Sequence, residues 1–154
     1  MNALEIVATG PLATVQDAGR FGHAALGVGR SGAADAASYA LANRMLANPD
    51  GAAALEATLG GLRVRARGPL TVAVTGAGVP LKVDGRGAAM NTVLRLDDGA
   101  ELAMGVPPRG LRTYLAVRGG VAVPPVLGSR STDVLAGLGP DLPAPGALLP
   151  VGPP

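Results

Sequence analysis

Leu62-Arg63-Val64-Arg65-Ala66-Arg67 alternates apolar and basic side chains without a break. That period of two is the pattern of a β-strand with one face in a core and the other in water. Gly68-Pro69 interrupts it, and Leu70-Thr71-Val72-Ala73-Val74 resumes as a more continuously apolar, buried strand. Leu81-Lys82-Val83 runs into Asp84-Gly85-Arg86, which reads as a hairpin turn. Thr92 to Leu96 and Glu101 to Met104 flank Asp97-Asp98-Gly99, a second hairpin signal, and Arg112 to Val117 is a further strand closed by Gly119-Gly120. Toward the N-terminus, Leu4 to Ala8 and Ala13 to Val15 are two short strands separated by Gly10-Pro11. Many short strands with turn residues between them predict a mainly β fold, a barrel or a sandwich.

One or two helices complete the expectation. Ala33 to Met45 is the clearest, with Ala37, Leu41 and Met45 at four-residue spacing as its core face and Ala40 widening the stripe. Ser31 is the predicted N-cap, with Asp35 in the first turn beside the positive end of the helix dipole. Asn48-Pro49 predicts the start of a second, short helix. Glu56, after it, is a candidate buried partner for an arginine.

Composition narrows the class. Of 154 residues 48% are hydrophobic, yet one Phe and two Tyr are the only aromatics, so the core must be built from Val, Leu, Ala and a few Met. Small side chains bury little area each, at about 25 cal/mol per Å², and such a core needs close backbone approach. Cysteine is absent, which excludes disulfides, a thiol nucleophile and zinc-thiolate sites, and a cytoplasmic location is the simplest reading. No apolar run is long enough to span a membrane, and Met1 to Gly10 lacks the basic start of a signal peptide. The net charge is +2. The arginines are scattered with few aromatics among them, which argues against nucleic acid as a partner. No set of Asp, Glu and His has metal-ligand spacing.

Three polar, glycine-bearing loops carry what chemistry there is. In Thr14 to Gly22, Gln16, Asp17 and Arg20 place an amide, a carboxylate and a guanidinium within one turn of chain. Such a set suits forked hydrogen bonding to a carboxylate or urea-like group; the plainer reading is a structural turn in which Asp17 and Arg20 pair. Gly27 to Asp35 is a glycine-rich loop opening a helix, where free N–H groups suit an anion; the plainer reading is Ser31 as a cap alone. It is neither a Walker A sequence nor a dinucleotide fingerprint. Arg118-Gly119-Gly120 and Pro124 to Thr132, with Ser129, Arg130 and Ser131, suit an oxyanion or phosphate, or form a rigid turn bonded to its own backbone. His23, the only histidine, reads as a solvated loop residue rather than a base. The stretch from Gly137 to Pro154 reads as linker-like.

These same loops carry a resemblance. Gly10-Pro11-Leu12-Ala13-Thr14-Val15-Gln16-Asp17-Ala18-Gly19-Arg20-Phe21-Gly22 resembles the opening signature of the C-type subunits of 5-oxoprolinase. Ser31-Gly32-Ala33-Ala34-Asp35, Asn43, Asn48-Pro49, Ala54-Leu55-Glu56, Leu59-Gly60-Gly61, Val117 to Gly120 and Pro124 to Thr132 continue it in order. Ala18 and Ala34 depart from it, standing where larger side chains are expected. The family includes the carboxyltransferase domain of urea carboxylase and an antagonist of a histidine-kinase inhibitor. The resemblance implies a cyclophilin-like β-barrel, with residues 1–154 as the N-terminal part of a longer carboxyltransferase-like domain that is cut near Val151-Gly152-Pro153-Pro154. It implies a homologue of the B-type subunit of 5-oxoprolinase as partner, and ATP-dependent opening of 5-oxo-L-proline, a small amide, to L-glutamate by the complex. The alternatives it implies are carboxyl transfer from carboxybiotin to urea, with biotin on another domain or protein, and a non-catalytic module acting on a B-type homologue that restrains a kinase. Catalytic residues are not assigned. Gln16, Asp17, Arg20, Ser31, Asp35, Arg118, Ser129, Arg130 and Ser131 are singled out for substrate or structural contact.

Overall fold

The structure is a computed structural model describing residues 1–154. Its elements are β1 (Ala3–Thr9), β2 (Leu12–Gln16), α1 (Ala36–Met45), β3 (Ala54–Thr58), β4 (Leu62–Arg67), β5 (Leu70–Gly76), β6 (Leu81–Val83), β7 (Arg86–Ala88), β8 (Val93–Leu96), β9 (Glu101–Met104), β10 (Arg112–Val117) and β11 (Leu148–Pro150). The fold is mainly β, as the strand patterns predict. Two antiparallel sheets are formed, in the orders β11-β1-β4-β9-β6-β7 and β2-β3-β10-β5-β8. Neither closes on itself, so the expected barrel is an open pair of sheets.

The alternation in β4 sorts its side chains as the sequence predicts. Leu62, Val64 and Ala66 are buried, and with Leu4, Ile6 and Leu102 they meet Val15, Leu55, Val72, Val74 and Leu115 from the other sheet. Arg63, Arg65 and Arg67 face out beside Glu5 and Glu101 from the flanking strands. Arg65 reaches both acids, at 3.7 Å and 3.1 Å, so charge alternates across this face. The ladder shields the sheet from water and is itself open to salt.

The second sheet is covered on its outer side by α1. Tyr39, Ala42 and Leu46 pack there on Ala54, Ala73, Tyr114 and Ala116. Alanine on the sheet lets the helix come close, and Tyr39 meets Tyr114 edge to face, 6.3 Å between centroids. The predicted helix face is therefore corrected: Leu41 is exposed and Ala37 faces water. Four-residue spacing alone does not set the phase of so short a helix, and the aromatic ring wins the buried side.

Three other expectations are corrected. Val93–Leu96 pairs with β5, and Glu101–Met104 with β4 and β6. Asp97-Asp98-Gly99 thus carries the chain from one sheet to the other instead of closing a hairpin. Asn48-Pro49 starts no helix. Asn48 instead donates from Nδ2 to Val117 O and Asn43 Oδ1 and accepts from Gly119 N–H, each at 2.9 Å, tying the helix exit to the end of β10. The C-terminal stretch is held as well, since β11 pairs with β1 and Val151 bridges to Val121. No helix is long and apolar enough to cross a membrane.

Candidate functional site

The loops between β2 and α1 and after Val123 fold against one another at the end of the second sheet. Asp17, 7% exposed, is their hub. Its Oδ1 accepts from Gly19 N–H at 2.8 Å and from the Ser129 and Ser131 hydroxyls at 2.7 Å each. Its Oδ2 accepts from Arg130 N–H at 2.6 Å. Burial pushes the Asp17 carboxyl up, but these four donors outweigh it and leave the group below the usual aspartate range.

Arg20 is 2% exposed and has no carboxylate within ion-pair distance. Its guanidinium donates to Val126 O at 2.9 Å, Ser131 O at 2.9 Å and Ser31 Oγ at 3.2 Å. The anticipated Asp17–Arg20 pair is absent; both bind the 126–131 loop instead. Gln16 joins the same loop, donating to Thr132 O at 2.9 Å and to Thr14 Oγ1 at 3.0 Å. Ser31 passes the connection on to Asp133 at 3.0 Å. The side chain of Arg130 reaches Val123 O at 2.6 Å. Gln16, Asp17, Arg20, Ser31, Ser129, Arg130 and Ser131 are thus brought together, as a polar latch whose bonds are mostly internal.

Asp35, not Ser31, caps α1. It accepts from Ser38 N–H at 3.0 Å and from the Ser38 hydroxyl at 2.6 Å. Ser31 has φ 54°, outside helical geometry. Three of the donors expected to greet an external anion, those nearest the helix, are already taken. Ala33 N–H donates to Asp17 O at 3.0 Å, Ala34 N–H to Glu56 Oε2 at 2.9 Å and Asp35 N–H to the Tyr114 hydroxyl at 2.7 Å. Tyr114 in turn donates to Glu56 at 2.7 Å. Burial and the neighbouring Glu56 push the Tyr114 phenol well above its usual range, so it stays protonated. Glu56 lies inside β3, not after a helix, and Arg112 is its arginine partner at 3.7 Å. The carboxylates of Asp17, Asp35 and Glu56 stand beside these occupied donors.

Arg118 lies apart. It is exposed and lines a small depression of about 150 Å³ with Asn2, Thr71 and Gly152, sharing no bond with the latch.

One open space near the latch is a depression of about 300 Å³ beside α1. Its floor is small: Ala18, Ala33, Ala36, Ala40 and Gly51. Its polar and aromatic wall is Asp17, Phe21, Arg30, Tyr39 and Asp50. The Arg30 guanidinium lies over the Phe21 ring, 5.0 Å from its centroid, with no acid in ion-pair distance. Tyr39 donates to Ala52 O at 2.7 Å. Burial, then the charges of Asp17 and Asp50, push its phenol well above the usual range. Phe21, Arg30, Tyr39 and Asp50 were not singled out from sequence. The available signal was the rarity of aromatics: two of the three line this one space.

Comparison with known proteins decides the family. The model of the "Carboxyltransferase domain, subdomain A and B" matches residues 26–154. The chain belongs to this carboxyltransferase domain family. Among its relatives, the C-type subunit of 5-oxoprolinase from Escherichia coli is 40% identical over 136 residues, covering 88% of this chain and 44% of that protein. Urea amidolyase of Lachancea kluyveri is 38% identical over 138 residues, 89% of this chain and 8% of that protein. The solved structure of K. lactis urea amidolyase superposes with a TM-score of 0.94 at 35% identity, covering 99% of this chain and 9% of that one. The chain therefore spans less than half the length of these carboxyltransferase-domain relatives.

Proposed function

We propose that this carboxyltransferase-family chain is part of a 5-oxoprolinase-type subunit, with the α1 depression as its binding place for a small amide. The observation that carries the reading is the 40% identity to the C-type subunit of 5-oxoprolinase over 88% of the chain. In this reading a homologue of the B-type subunit completes the enzyme, and the complex opens 5-oxo-L-proline to L-glutamate at the expense of ATP. A lactam is a poor electrophile, so its carbonyl oxygen must be activated, and cationic donors must meet the charge that develops. In this reading ATP binds elsewhere in the complex. The chain's own part is to hold and orient the amide. The latch fixes the wall of the depression, because Asp17 belongs to both. Residues 1–154 form the N-terminal part of the longer subunit in this proposal.

Urea amidolyase, at 38% identity, favours a second reading: carboxyl transfer to urea from biotin carried by another domain or protein. The two are separated by assay. The full-length protein, mixed with its B-type partner, 5-oxoproline and ATP, is expected to release glutamate. Absence of release, together with carboxylation of urea when a carboxylated biotin carrier is supplied, would overturn the first reading in favour of the second.

A further inference from the structure

The two readings differ in the charge of their substrate. 5-Oxoproline is a lactam that carries a carboxylate; urea is neutral. The depression beside α1 is lined by two carboxylates, Asp17 and Asp50, and one cation, Arg30. Arg30 is exposed at its rim and has no acidic partner in the chain. A free arginine side chain loses much rotamer freedom on binding. Here the Phe21 ring already lies beneath the guanidinium, 5.0 Å from centroid to Cζ, before any ligand arrives, and its fork remains open. The acids of the same wall, Asp17 and Asp50, are the charges that reach the Tyr39 phenol. Asp17 is fully occupied by four donors, whereas Asp50 is exposed and makes no hydrogen bond. The small side chains of its lining leave space for a compact ring.

We infer that Arg30, stacked on Phe21, is the specificity-determining residue of this depression, selecting a small amide that bears a carboxylate over a neutral one. The guanidinium accepts the carboxylate as a forked ion pair. Asp50 is placed to accept an amide N–H of the same ligand, and Asp17, held ionised, repels the carboxylate from the wrong end. Phe21 is a positioning residue, acting through Arg30. The inference rests on the proposed amide site and makes it specific.

The test is titration of the isotopically labelled chain, followed through the backbone amides of Ala18, Ala33 and Gly51. The probes are 5-oxo-L-proline, 2-pyrrolidinone (the same lactam without the carboxylate) and urea. The wild-type chain is expected to bind 5-oxoproline at least tenfold more tightly than 2-pyrrolidinone. Arg30→Ala, at an exposed position that leaves the melting temperature unchanged, should abolish that preference, and Arg30→Lys should retain part of it. Equal affinity for both lactams in the wild type would overturn the role of Arg30 while leaving an amide site in place. Tighter binding of urea than of 5-oxoproline, unaffected by Arg30→Ala, would overturn it in favour of the neutral substrate. If none of the probes shifts these three amides, the site itself is misplaced and the inference falls with it.

Discussion

Arg20 and Asp17 each bury a full charge without pairing with one another, and their bonds decide what substitution does. The Arg20 fork meets backbone carbonyls at fixed positions, which an ammonium on a flexible stem cannot span. Arg20→Lys is expected to lower unfolding free energy by about 2–3 kcal/mol in urea titration, since bonds from a charged donor are each worth roughly 1.5–3 kcal/mol. Asp17→Asn should cost a similar amount, about 2–3 kcal/mol, because an amide NH2 then faces donors that need an acceptor. The pH dependence has a definite sign. The folded Asp17 carboxyl lies below the ordinary value, so its contribution is complete above about pH 4 and is lost as pH falls through the lower, folded value. Asp17→Asn should flatten that acid limb; an unchanged limb would mean other carboxylates dominate it. The sequence made these residues legible as a group, since amide, carboxylate and guanidinium lie within one short loop. Their roles were not legible. Whether a polar side chain points at a ligand or at its own loop depends on Ser129 and Ser131, over a hundred residues away along the chain.

Among the elements, α1 is where local sequence and fold part company. Its existence was readable from the four-residue apolar spacing over Ala33 to Met45, but its cap and phase were not. Ser31 and Asp35 are both good cap types, and the bonds from Ser38 to Asp35, with α1 starting at Ala36 and Ser31 at a left-handed φ, decide between them. Asp35→Ala is therefore expected to destabilise the protein by about 1 kcal/mol and to loosen the first turn of α1, measured by hydrogen exchange at Ser38 and Tyr39. Ser31→Ala should leave those amides protected and instead break the link from Arg20 through the Ser31 hydroxyl to Asp133. If Ser31→Ala exposes the first turn and Asp35→Ala does not, the cap is wrongly placed. The strands fared differently. Leu62–Arg67 and Arg112–Val117 were readable to the residue because their side chains alternate or are β-branched against turn residues. Val93–Leu96 and Glu101–Met104 were readable as strands but not as belonging to separate sheets. A tight turn looks the same in sequence whether it closes a hairpin or turns a corner.

Over the whole molecule, the last strand joins what the turns separate. β11 pairs with β1 in the first sheet, while Ala122 N–H donates to Pro150 O at 2.8 Å and Gly152 N–H to Gly120 O at 3.0 Å, next to the end of β10 in the second. The approach is so close that a Cβ at Gly119 would overlap the Gly152 carbonyl, and Gly119 has φ 95° as well. Leu149 adds a buried side chain to the core between the sheets. The linker-like look of this segment came from its glycines and prolines, which serve a clasp as well as they serve a tail. The clasp matters more here than in an aromatic-rich core, because Ala and Val bury less area per contact. Truncation after Ala147 removes one buried leucine, worth roughly 1.5–3 kcal/mol, and several backbone bonds at about 0.5–1.5 kcal/mol each. The expected loss is about 3–5 kcal/mol, or roughly 10 °C in melting temperature for a domain of this size. Leu149→Ala should show about half of that, and Gly119→Ala should approach the full effect without removing any residue. A truncated chain that melts with the intact one would mean that the two sheets are held by their shared core alone and that the clasp contributes nothing to their union.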